Sequence, residues 1–506
     1  MFRKILIANR GEIAVRIARA CREMGILSAA VFSDADRAAL HVRLADEAYR
    51  AGPAPSRESY LRIDKLMEIA RGAGCDALHP GYGFLAENPK LPRACAENQI
   101  TFIGPSPESM ERLGSKTAAR QLAARVGVPM VPGTQSAVEI LDDAEGVARA
   151  MGYPVLLKAV AGGGGKGMRL VGAESEMAAA WRDASSEALN SFGDARLYLE
   201  KYVERPRHIE IQIFGDAHGN LVYLGERECS VQRRHQKVIE ESPSPIMTPD
   251  LRRAMGEAAV RLAREAGYTN AGTVEFLVDS ERKFYFLEVN TRLQVEHPVT
   301  ETVTGLDLVK LQIRVAASEP LPFAQDDVRL SGHAVECRLY AEDPANQFFP
   351  SPGKILSRRL PSGPGIRLDD GVYDGFTVST EYDPMLAKLI AWGENRAEAI
   401  ARVRRGLEEY SVTGIKTNAS LLLAILRDSE FLRGDIYTRW LDERLPDFLG
   451  RSNAQETDSV AEYAAILAAL LLTFGGNGKV NANGSGLDAE SRWKRAARLE
   501  PVDRSE

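Results

Sequence analysis

Cysteine is scarce in this sequence, and the few cysteines form no metal-binding or disulfide pattern. Only five occur among 506 residues (Cys21, Cys75, Cys95, Cys229 and Cys337), and no two have the C-x-x-C spacing. An odd, widely spaced set indicates neither a disulfide framework nor a structural zinc site. We therefore expect a reducing compartment and a cytoplasmic protein.

Long apolar runs and an excess of positive charge are also missing. The longest apolar run, residues 463–472, is about half of the roughly 18–20 residues that span a bilayer, and residues 1–16 lack the apolar core of a signal peptide. The 64 Lys and Arg residues are outnumbered by 70 Asp and Glu residues, which gives a net charge of −6. Because nucleic-acid binding normally needs concentrated basic residues, we expect neither a membrane nor a nucleic-acid partner.

The sequence does contain enough residues for about three or four domains. In the N-terminal third, residues 4–8 read as a strand, residues 13–24 as a helix and residues 28–32 as a second strand. This alternation predicts a parallel α/β sheet. After Gly332 the pattern is mixed and strand-rich, with a helix at residues 396–410, so the fold class is α/β followed by α+β.

A glycine-rich segment at residues 161–167 lies between two apolar runs. The flanking runs predict a β-hairpin with a mobile tip. The Walker phosphate-binding pattern is absent, because Val160 stands where its first glycine is needed and Gly167 where it needs Ser or Thr. A glycine hairpin alone is more often a plain loop than a phosphate clamp, but Lys158 and Lys166 favour the clamp.

Residues 288–296 carry an unusual row of polar side chains. If this segment is extended, side chains alternate between faces, and Glu288, Asn290, Arg292, Gln294 and Glu296 share one face. A solvated sheet face would give the same alternation, although such faces usually mix Lys, Thr and Ser. Carboxylate and amide oxygens suit Mg²⁺ or Mn²⁺. The row therefore predicts a metal and anion site.

Three further features accompany this row. Glu275 is a carboxylate inside an apolar run, where an unpaired charge is unfavourable, so we expect it to be a second metal ligand. Residues 228–237 are either an exposed basic loop or an anion site. His79, near a turn, is more often structural than catalytic.

Together these segments resemble the biotin carboxylase family of ATP-grasp ligases. The similarity covers about residues 1–449 and runs in the family's order. The matching segments are residues 8–14, 79–88, 162–167, 226–230, 233–237, 288–301, 332–338 and 382–385. Position 86 is Ala, where the family often has Ser.

The resemblance implies an order of domains. We expect an N-terminal parallel α/β domain at residues 1–114 and an ATP-grasp domain at 115–331, with a glycine-rich lid at about 132–204. A mixed, β-rich C-terminal domain at 332–449 and a tail at 450–506 would follow. The tail contains a short predicted helix that either docks a partner or packs on its own domain.

The resemblance also implies nucleotide and metal contacts. ATP would bind with two Mg²⁺ or Mn²⁺ ions held by Glu275, Glu288 and Asn290. The positions that match the family's ATP contacts are Lys116, Lys158, Gly162, Gly163, Gly164, Gly165, Lys166, Gly167, Glu200, Lys201, Val203, His208, Gln232, His235, Glu275 and Glu288.

The remaining matched positions imply the chemistry. Lys237, Arg292, Gln294 and the Val295 backbone match the bicarbonate site, and Glu296 matches the base that deprotonates bicarbonate. The expected product, carboxyphosphate, would release CO₂ beside biotin. Arg338 would stabilise the enolate form of biotin.

No Met-Lys-Met sequence, which carries biotin in fused family members, occurs in the chain. We therefore expect a biotin carboxyl carrier protein and a carboxyltransferase on separate chains, and the resemblance implies a homodimer. Residues 491–495 vaguely resemble the tails of acyl-CoA carboxylase chains and favour acetyl- or propionyl-CoA over pyruvate as acceptor. Two alternatives stay open: another ATP-grasp ligase, and a non-enzymatic component of a carboxylase complex.

Overall fold

The N-terminal segment folds as a parallel sheet flanked by helices, as its sequence pattern predicts. The computed structural model describes residues 1–134, 136–160 and 168–450. The sheet has the order β3-β2-β1-β4-β5, and every pair of neighbours is parallel. The elements are β1 (Lys4–Ile7), α1 (Gly11–Glu23), β2 (Leu27–Ser33), α2 (Leu40–Leu44), β3 (Glu47–Gly52), α3 (Ile63–Gly72), β4 (Ala77–His79), α4 (Lys90–Glu97), β5 (Thr101–Phe102) and α5 (Pro107–Gly114).

The next segment adds a small antiparallel sheet with the order β7-β6-β8. The strands before and after the glycine-rich segment pair antiparallel with each other, which confirms the two strands of the predicted hairpin. The glycine loop itself lies outside the described residues. The elements are α6 (Lys116–Arg125), α7 (Leu141–Met151), β6 (Val155–Ala159), β7 (Met168–Val171), α8 (Met177–Phe192) and β8 (Leu197–Lys201).

An antiparallel sheet of eight strands carries most of the polar residues singled out above. Its first five strands come from the middle of the chain, and helix α9 packs against two of them. The elements are β9 (Arg207–Gly215), β10 (Leu221–Arg233), β11 (Gln236–Ser242), α9 (Pro249–Glu265), β12 (Asn270–Val278), β13 (Phe284–Asn290), α10 (His297–Thr304) and α11 (Leu308–Ala316).

The same sheet continues into the C-terminal part of the chain. Its order is β13-β12-β9-β10-β11-β14-β21-β19, so β11 pairs directly with β14 across residue 332. The elements are β14 (His333–Tyr340), β15 (Glu342–Asp343), β16 (Phe349–Pro350), β17 (Gly353–Lys354), β18 (Ser357–Arg359), β19 (Ile366–Asp370), β20 (Thr377–Val378), β21 (Met385–Gly393), α12 (Arg396–Glu409), β22 (Ser411–Thr413), α13 (Ala419–Leu426) and α14 (Ser429–Arg433).

One local expectation was wrong, and one of two open alternatives does not fit the structure. Residues 288–296 are not one extended segment, because β13 ends at Asn290 and α10 begins at His297. Pro298 lies in the first turn of that helix, where proline's fixed φ is favourable. Of the two alternatives for residues 228–237, the exposed basic loop does not fit, because these residues form the end of β10, a two-residue turn at Arg234 and His235, and the start of β11.

The buried side chains gather where the sheets meet their helices. One large cluster packs α9 against the outer face of the eight-stranded sheet, and another packs α12 and α13 against β14 and β21. The inner face of the sheet is instead lined by buried polar side chains, including Glu210, Gln212 and Glu275. No helix among the described residues is long and apolar enough to cross a membrane. The predicted tail helix lies outside the described residues.

Candidate active site

Two neighbouring strands at the edge of the eight-stranded sheet carry the expected metal ligands. Glu275 on β12 lies directly opposite Glu288 on β13, and Asn290 donates from Nδ2 to Glu275 Oε1 at 2.8 Å. Burial and the nearby Glu275 carboxylate raise the pKa of Glu288, while Lys116, whose Nζ is 3.6 Å from Glu288 Oε2, opposes this. Two adjacent carboxylates that repel each other, beside an amide oxygen, fit a divalent cation.

A second group of potential ligands lies one strand further in. His208 Nε2 is 3.0 Å from Glu275 Oε2, and atoms of His208, Glu210 and Glu275 lie within 4.8 Å of one another. However, the Lys237 ammonium already contacts both of these carboxylates. Glu288, which lies opposite Glu275, instead forms its ion pair with the largely exposed Lys116.

Lys237 connects the carboxylates at the centre of the site. Its Nζ donates to Glu210 Oε2 at 2.6 Å, to Glu275 Oε1 at 3.1 Å and to Glu296 Oε1 at 2.5 Å. Burial disfavours the ammonium, but the three carboxylates raise the pKa of Lys237 well above its ordinary value. The lysine therefore stays charged and places a positive charge among the three carboxylates.

Glu296 is held between two cations. Its other oxygen, Oε2, accepts from Arg338 Nη2 at 2.9 Å, and Arg338 Nε donates to Glu240 Oε1 at 2.6 Å. Burial would raise the pKa of Glu296, yet Lys237, Arg338 and the nearby Arg227 hold it well below its ordinary value. The carboxylate is thus ionised at neutral pH, which is the form that can accept a proton.

The turn after β13 brings Arg292 and Gln294 to the same place. Arg292 Nε donates to Glu87 Oε2 at 2.9 Å, and its Nη2 lies 3.3 Å from Asn290 Oδ1. Gln294 Nε2 donates to Glu275 Oε1 at 3.0 Å. These side chains gather although the segment is not a strand, because a turn followed by a helix start folds them back over β12.

Two residues that position this group were not singled out from the sequence. Arg227 is fully buried; it pairs with Glu210, and its Nη2 donates to Gln294 Oε1 at 3.0 Å. Glu87 accepts from the Thr291 amide at 3.0 Å as well as from Arg292. Arg227 had no clear signal, because it stands between Glu226 and Glu228, and its burial becomes visible only in the folded strand. Glu87 had none either, because only the fold brings the N-terminal domain to this turn.

The side chains expected at the nucleotide lie in two groups. On the small sheet, Lys158 pairs with Glu200, whose other oxygen is 2.8 Å from Arg120 Nη1. Lys201 Nζ instead donates to the carbonyl oxygens of Gly152 and Tyr153 at 2.9 and 3.1 Å, and Val203 is half-buried just after β8.

The second group lies on the large sheet. Gln232 Nε2 is 2.8 Å from His208 Nδ1, which fixes both buried side chains. His235 is exposed in the turn between β10 and β11, and Lys116 is 67% exposed beside Glu288. The residues from Gly162 to Gly167 lie outside the described part of the chain.

Comparison with known proteins gives a consistent match along the chain. Residues 1–110 match the biotin carboxylase N-terminal domain, residues 115–324 the ATP-binding domain of the carbamoyl-phosphate synthase L chain, and residues 336–443 the biotin carboxylase C-terminal domain.

Three relatives represent different carboxylases. One of the pyruvate carboxylase subunits of Methanothermobacter thermautotrophicus is 55% identical, over 88% of this chain and 90% of that protein. Biotin carboxylase of Halalkalibacterium halodurans is 52% identical, over 89% of this chain and all of that protein. The propionyl-CoA carboxylase alpha chain of Ruegeria pomeroyi is 49% identical, over 93% of this chain and 72% of that protein.

A solved structure has the same fold. It is the biotin carboxylase domain dimer of the Hydrogenobacter thermophilus 2-oxoglutarate carboxylase, in complex with MgADP, ADP and bicarbonate. The two are 46% identical, with a TM-score of 0.81 over 89% of this chain and 99% of that one.

An antiparallel sheet that carries paired acidic residues, with a small three-stranded sheet preceding it in the chain, defines an ATP-grasp enzyme. The matches at about 50% identity over most of the chain narrow that class. The chain belongs to the biotin carboxylase family, and it is an ATP-dependent ligase.

Proposed function

We propose that this enzyme carboxylates biotin on a separate carrier protein and supplies a carboxyltransferase on another chain, with an acyl-CoA as the final acceptor. The observation that carries the catalytic part is Glu296, a buried carboxylate whose two oxygens contact Lys237 and Arg338. A proton-accepting group between two cations suits a substrate that is an anion and must lose a proton.

The proposed nucleotide and metal contacts come from both the small sheet and the edge of the large sheet. ATP would bind with Lys116, Lys158, Lys201, His208, Gln232 and His235. Two Mg²⁺ or Mn²⁺ ions would be held by Glu275, Glu288 and Asn290, whose carboxylate repulsion a cation relieves. When bound, such ions supply positive charge to the transferred phosphoryl group.

Bicarbonate would enter among Lys237, Arg292, Gln294 and the Val295 backbone. Glu296 removes the proton of bicarbonate, and the resulting oxyanion attacks the γ-phosphorus of ATP. ADP leaves, and carboxyphosphate forms. Arg292 is half-buried and bonded to Glu87, so it is oriented before the substrate arrives.

Carboxyphosphate then breaks its C–O bond to give CO₂ and phosphate. Phosphate takes the ureido N–H proton of biotin, and the nitrogen attacks CO₂ to form carboxybiotin. Arg338 donates a charged hydrogen bond to the ureido oxygen as negative charge develops on it. Since Arg338 already contacts Glu296, both half-steps occur around one pair of side chains.

The carrier, acceptor and assembly are proposals at a finer level. A biotin carboxylase whose whole length matches this chain supports a carrier on a separate chain. The relatives include carboxylases of pyruvate and propionyl-CoA, so pyruvate is the second candidate acceptor. The dimeric neighbour supports a homodimer, and five buried free cysteines support a reducing cytoplasm.

The test is ATP hydrolysis by the purified protein. We expect turnover that requires bicarbonate and is stimulated by free biotin. Binding of ATP and Mg²⁺ without this dependence would point to a different ATP-grasp ligase or to a non-enzymatic component of a complex. To find the acceptor, the native complex is purified through this chain and assayed with acetyl-CoA, propionyl-CoA and pyruvate.

A further inference from the structure

Lys388 is a fully buried lysine that the mechanism above does not use. It lies behind residues 292–296, the segment proposed to bind bicarbonate and called the bicarbonate segment below. It lies on β21 with no exposed surface, in the run Leu386–Ala391 whose other members are buried apolar residues. Its Nζ donates to the carbonyl oxygen of Val295 at 2.7 Å. Val295 immediately precedes the base, Glu296.

The position of Lys388 relates it directly to Arg338. The two residues are partners across β21 and β14, so their side chains leave the sheet on the same face. Arg338 holds the carboxylate of Glu296, while Lys388 holds the carbonyl of the peptide that joins Val295 to Glu296. Neighbouring strands thus fix the same residue at its side chain and at its backbone.

A buried charge at this position needs a reason, because an apolar side chain of similar size would pack there without desolvating an ammonium. Glu12 Oε1, from α1, lies 3.2 Å from Lys388 Nζ. Burial disfavours the charged lysine, but Glu12, Glu336 and Asp369 raise the pKa of Lys388. The lysine therefore keeps its charge and its strong hydrogen bond to Val295.

A second buried side chain contacts a backbone carbonyl group of the bicarbonate segment. His297, also fully buried, has Nδ1 2.8 Å from the Gln294 carbonyl oxygen. Burial and the neighbouring Lys388 hold the pKa of His297 well below its ordinary value, so its ring is neutral. Lys388 is thus a charged donor to the carbonyl oxygen next to Glu296, while the Arg292 guanidinium donates to the Leu293 carbonyl oxygen at 3.2 Å.

We propose that Lys388, which lies beside Glu12, is a positioning residue that sets the orientation of Glu296 and of the Val295 backbone towards bicarbonate. It joins three parts of the chain at one point: α1 of the N-terminal domain, β21 of the C-terminal part, and the turn before α10. This inference rests on the proposed function, since it assigns a purpose to the bicarbonate segment.

The test compares Lys388→Met with Lys354→Met, a matched change of an exposed lysine in the same part of the chain. We expect Lys388→Met to lower kcat/KM for bicarbonate by about 10- to 100-fold, since small misplacements of catalytic groups have effects of this order. KM for ATP should stay within about twofold, because Lys388 lies behind the segment and not at the nucleotide.

A pH profile separates positioning from a general structural effect. Without Lys388, Glu296 is less well held between Lys237 and Arg338, the cations that depress its pKa. The acidic limb of kcat/KM for bicarbonate should therefore move to higher pH. Glu12→Gln, which leaves the Lys388–Val295 hydrogen bond in place, should move this limb much less.

Lys388→Met leaves Glu12 buried without its partner, so the double variant Glu12→Gln/Lys388→Met guards against misfolding. The proposal is overturned if a folded variant that lacks Lys388, either Lys388→Met or Glu12→Gln/Lys388→Met, keeps the wild-type kcat/KM for bicarbonate and the wild-type acidic limb. If the wild-type enzyme itself lacks bicarbonate- and biotin-dependent ATP cleavage, the proposed function fails instead. The two failures are thus distinguishable.

Discussion

At the scale of single residues, the site is a chain of alternating charges on a buried sheet face. Glu210, Lys237, Glu296, Arg338 and Glu240 follow one another, each in contact with the next. Removing one member of such a buried network leaves its neighbour unpaired, which destabilises more than the removed contact itself. Conservative variants that keep the volume are therefore the informative ones.

Glu296→Gln is the most direct test of the base. The amide keeps the shape of the side chain but cannot accept a proton from bicarbonate. We expect ATP binding to persist and biotin-dependent turnover to fall about 10²- to 10⁴-fold, the usual range for loss of a general base. Nucleotide binding by calorimetry and turnover by ADP release check this. Glu281→Gln, at a surface carboxylate that is 70% exposed, is the control, and unchanged turnover in Glu296→Gln would exclude Glu296 as the base.

A second residue-scale prediction concerns pH and stability. Burial raises the pKa of Glu12 from an ordinary 4.5 to about 7, with Lys388 and Arg367 opposing this and Asp369 adding to it. The folded state then binds the Glu12 proton more tightly than the unfolded state. This contribution to stability is complete below pH 4.5 and is lost as the pH rises through 7.

Relative to Glu12→Gln, the wild-type free energy of unfolding should therefore fall by about 2 kcal/mol between about pH 5 and pH 8. Denaturant unfolding of both proteins at several pH values measures the difference. A difference that rises with pH would show that Glu12 is ionised in the folded protein, held so by Lys388.

Some residues of the site could be recognised as functional from the sequence alone, and others could not, for a physical reason. Glu275 was recognisable because a lone charge in an apolar strand demands a partner, and its partners are indeed Lys237 and His208. Lys388 has the same signature within β21. Glu87 and Glu12 carry no such signal, since their contacts join segments that are hundreds of residues apart.

At the scale of elements, the hairpin and strand patterns were predictable but the turn before α10 was not. Alternation of polar and apolar residues continues from β13 past Asn290, so periodicity alone extends the strand too far. Pro298 was the available signal for a helix start. The β10–β11 turn was missed for a different reason: Arg234 and His235 both adopt positive φ, which is uncommon for residues other than glycine.

The small sheet supplies the prediction at this scale. Lys158 on β6 is paired with Glu200 on β8, and nucleotide binding would let the lysine exchange this partner for phosphate. Lys158→Met should raise KM for ATP by about tenfold or more, because loss of one charged hydrogen bond is worth about 1.5–3 kcal/mol. KM for bicarbonate should change little. Arg149→Gln, an exposed change on α7, is the control, and an unchanged KM for ATP would remove Lys158 from the nucleotide site.

At the scale of the whole molecule, one sheet unites the ATP-grasp and C-terminal parts. The described residues fall within one compact unit, residues 1–452. Sequence patterns indicate separate domains because each part has its own mixture of strands and helices. They do not reveal that β14 pairs with β11 and so continues the same sheet, since pairing between distant strands leaves no local pattern.

This continuity predicts that the chain cannot be divided at the domain boundary suggested by its sequence. A chain truncated after Ser331 would lose β14 and expose the edge of β11, a row of unpaired backbone groups. It would also leave Glu240 without Arg338 and Glu241 without His333 and Arg396, although these carboxylates are fully buried or nearly so. We expect this fragment to aggregate or to lack cooperative unfolding, whereas a chain of residues 1–452 should unfold cooperatively and retain biotin-dependent ATP cleavage. Calorimetry and size-exclusion chromatography of both fragments decide the matter: a soluble, cooperatively folded 1–331 fragment would show that the two parts are independent despite their shared sheet.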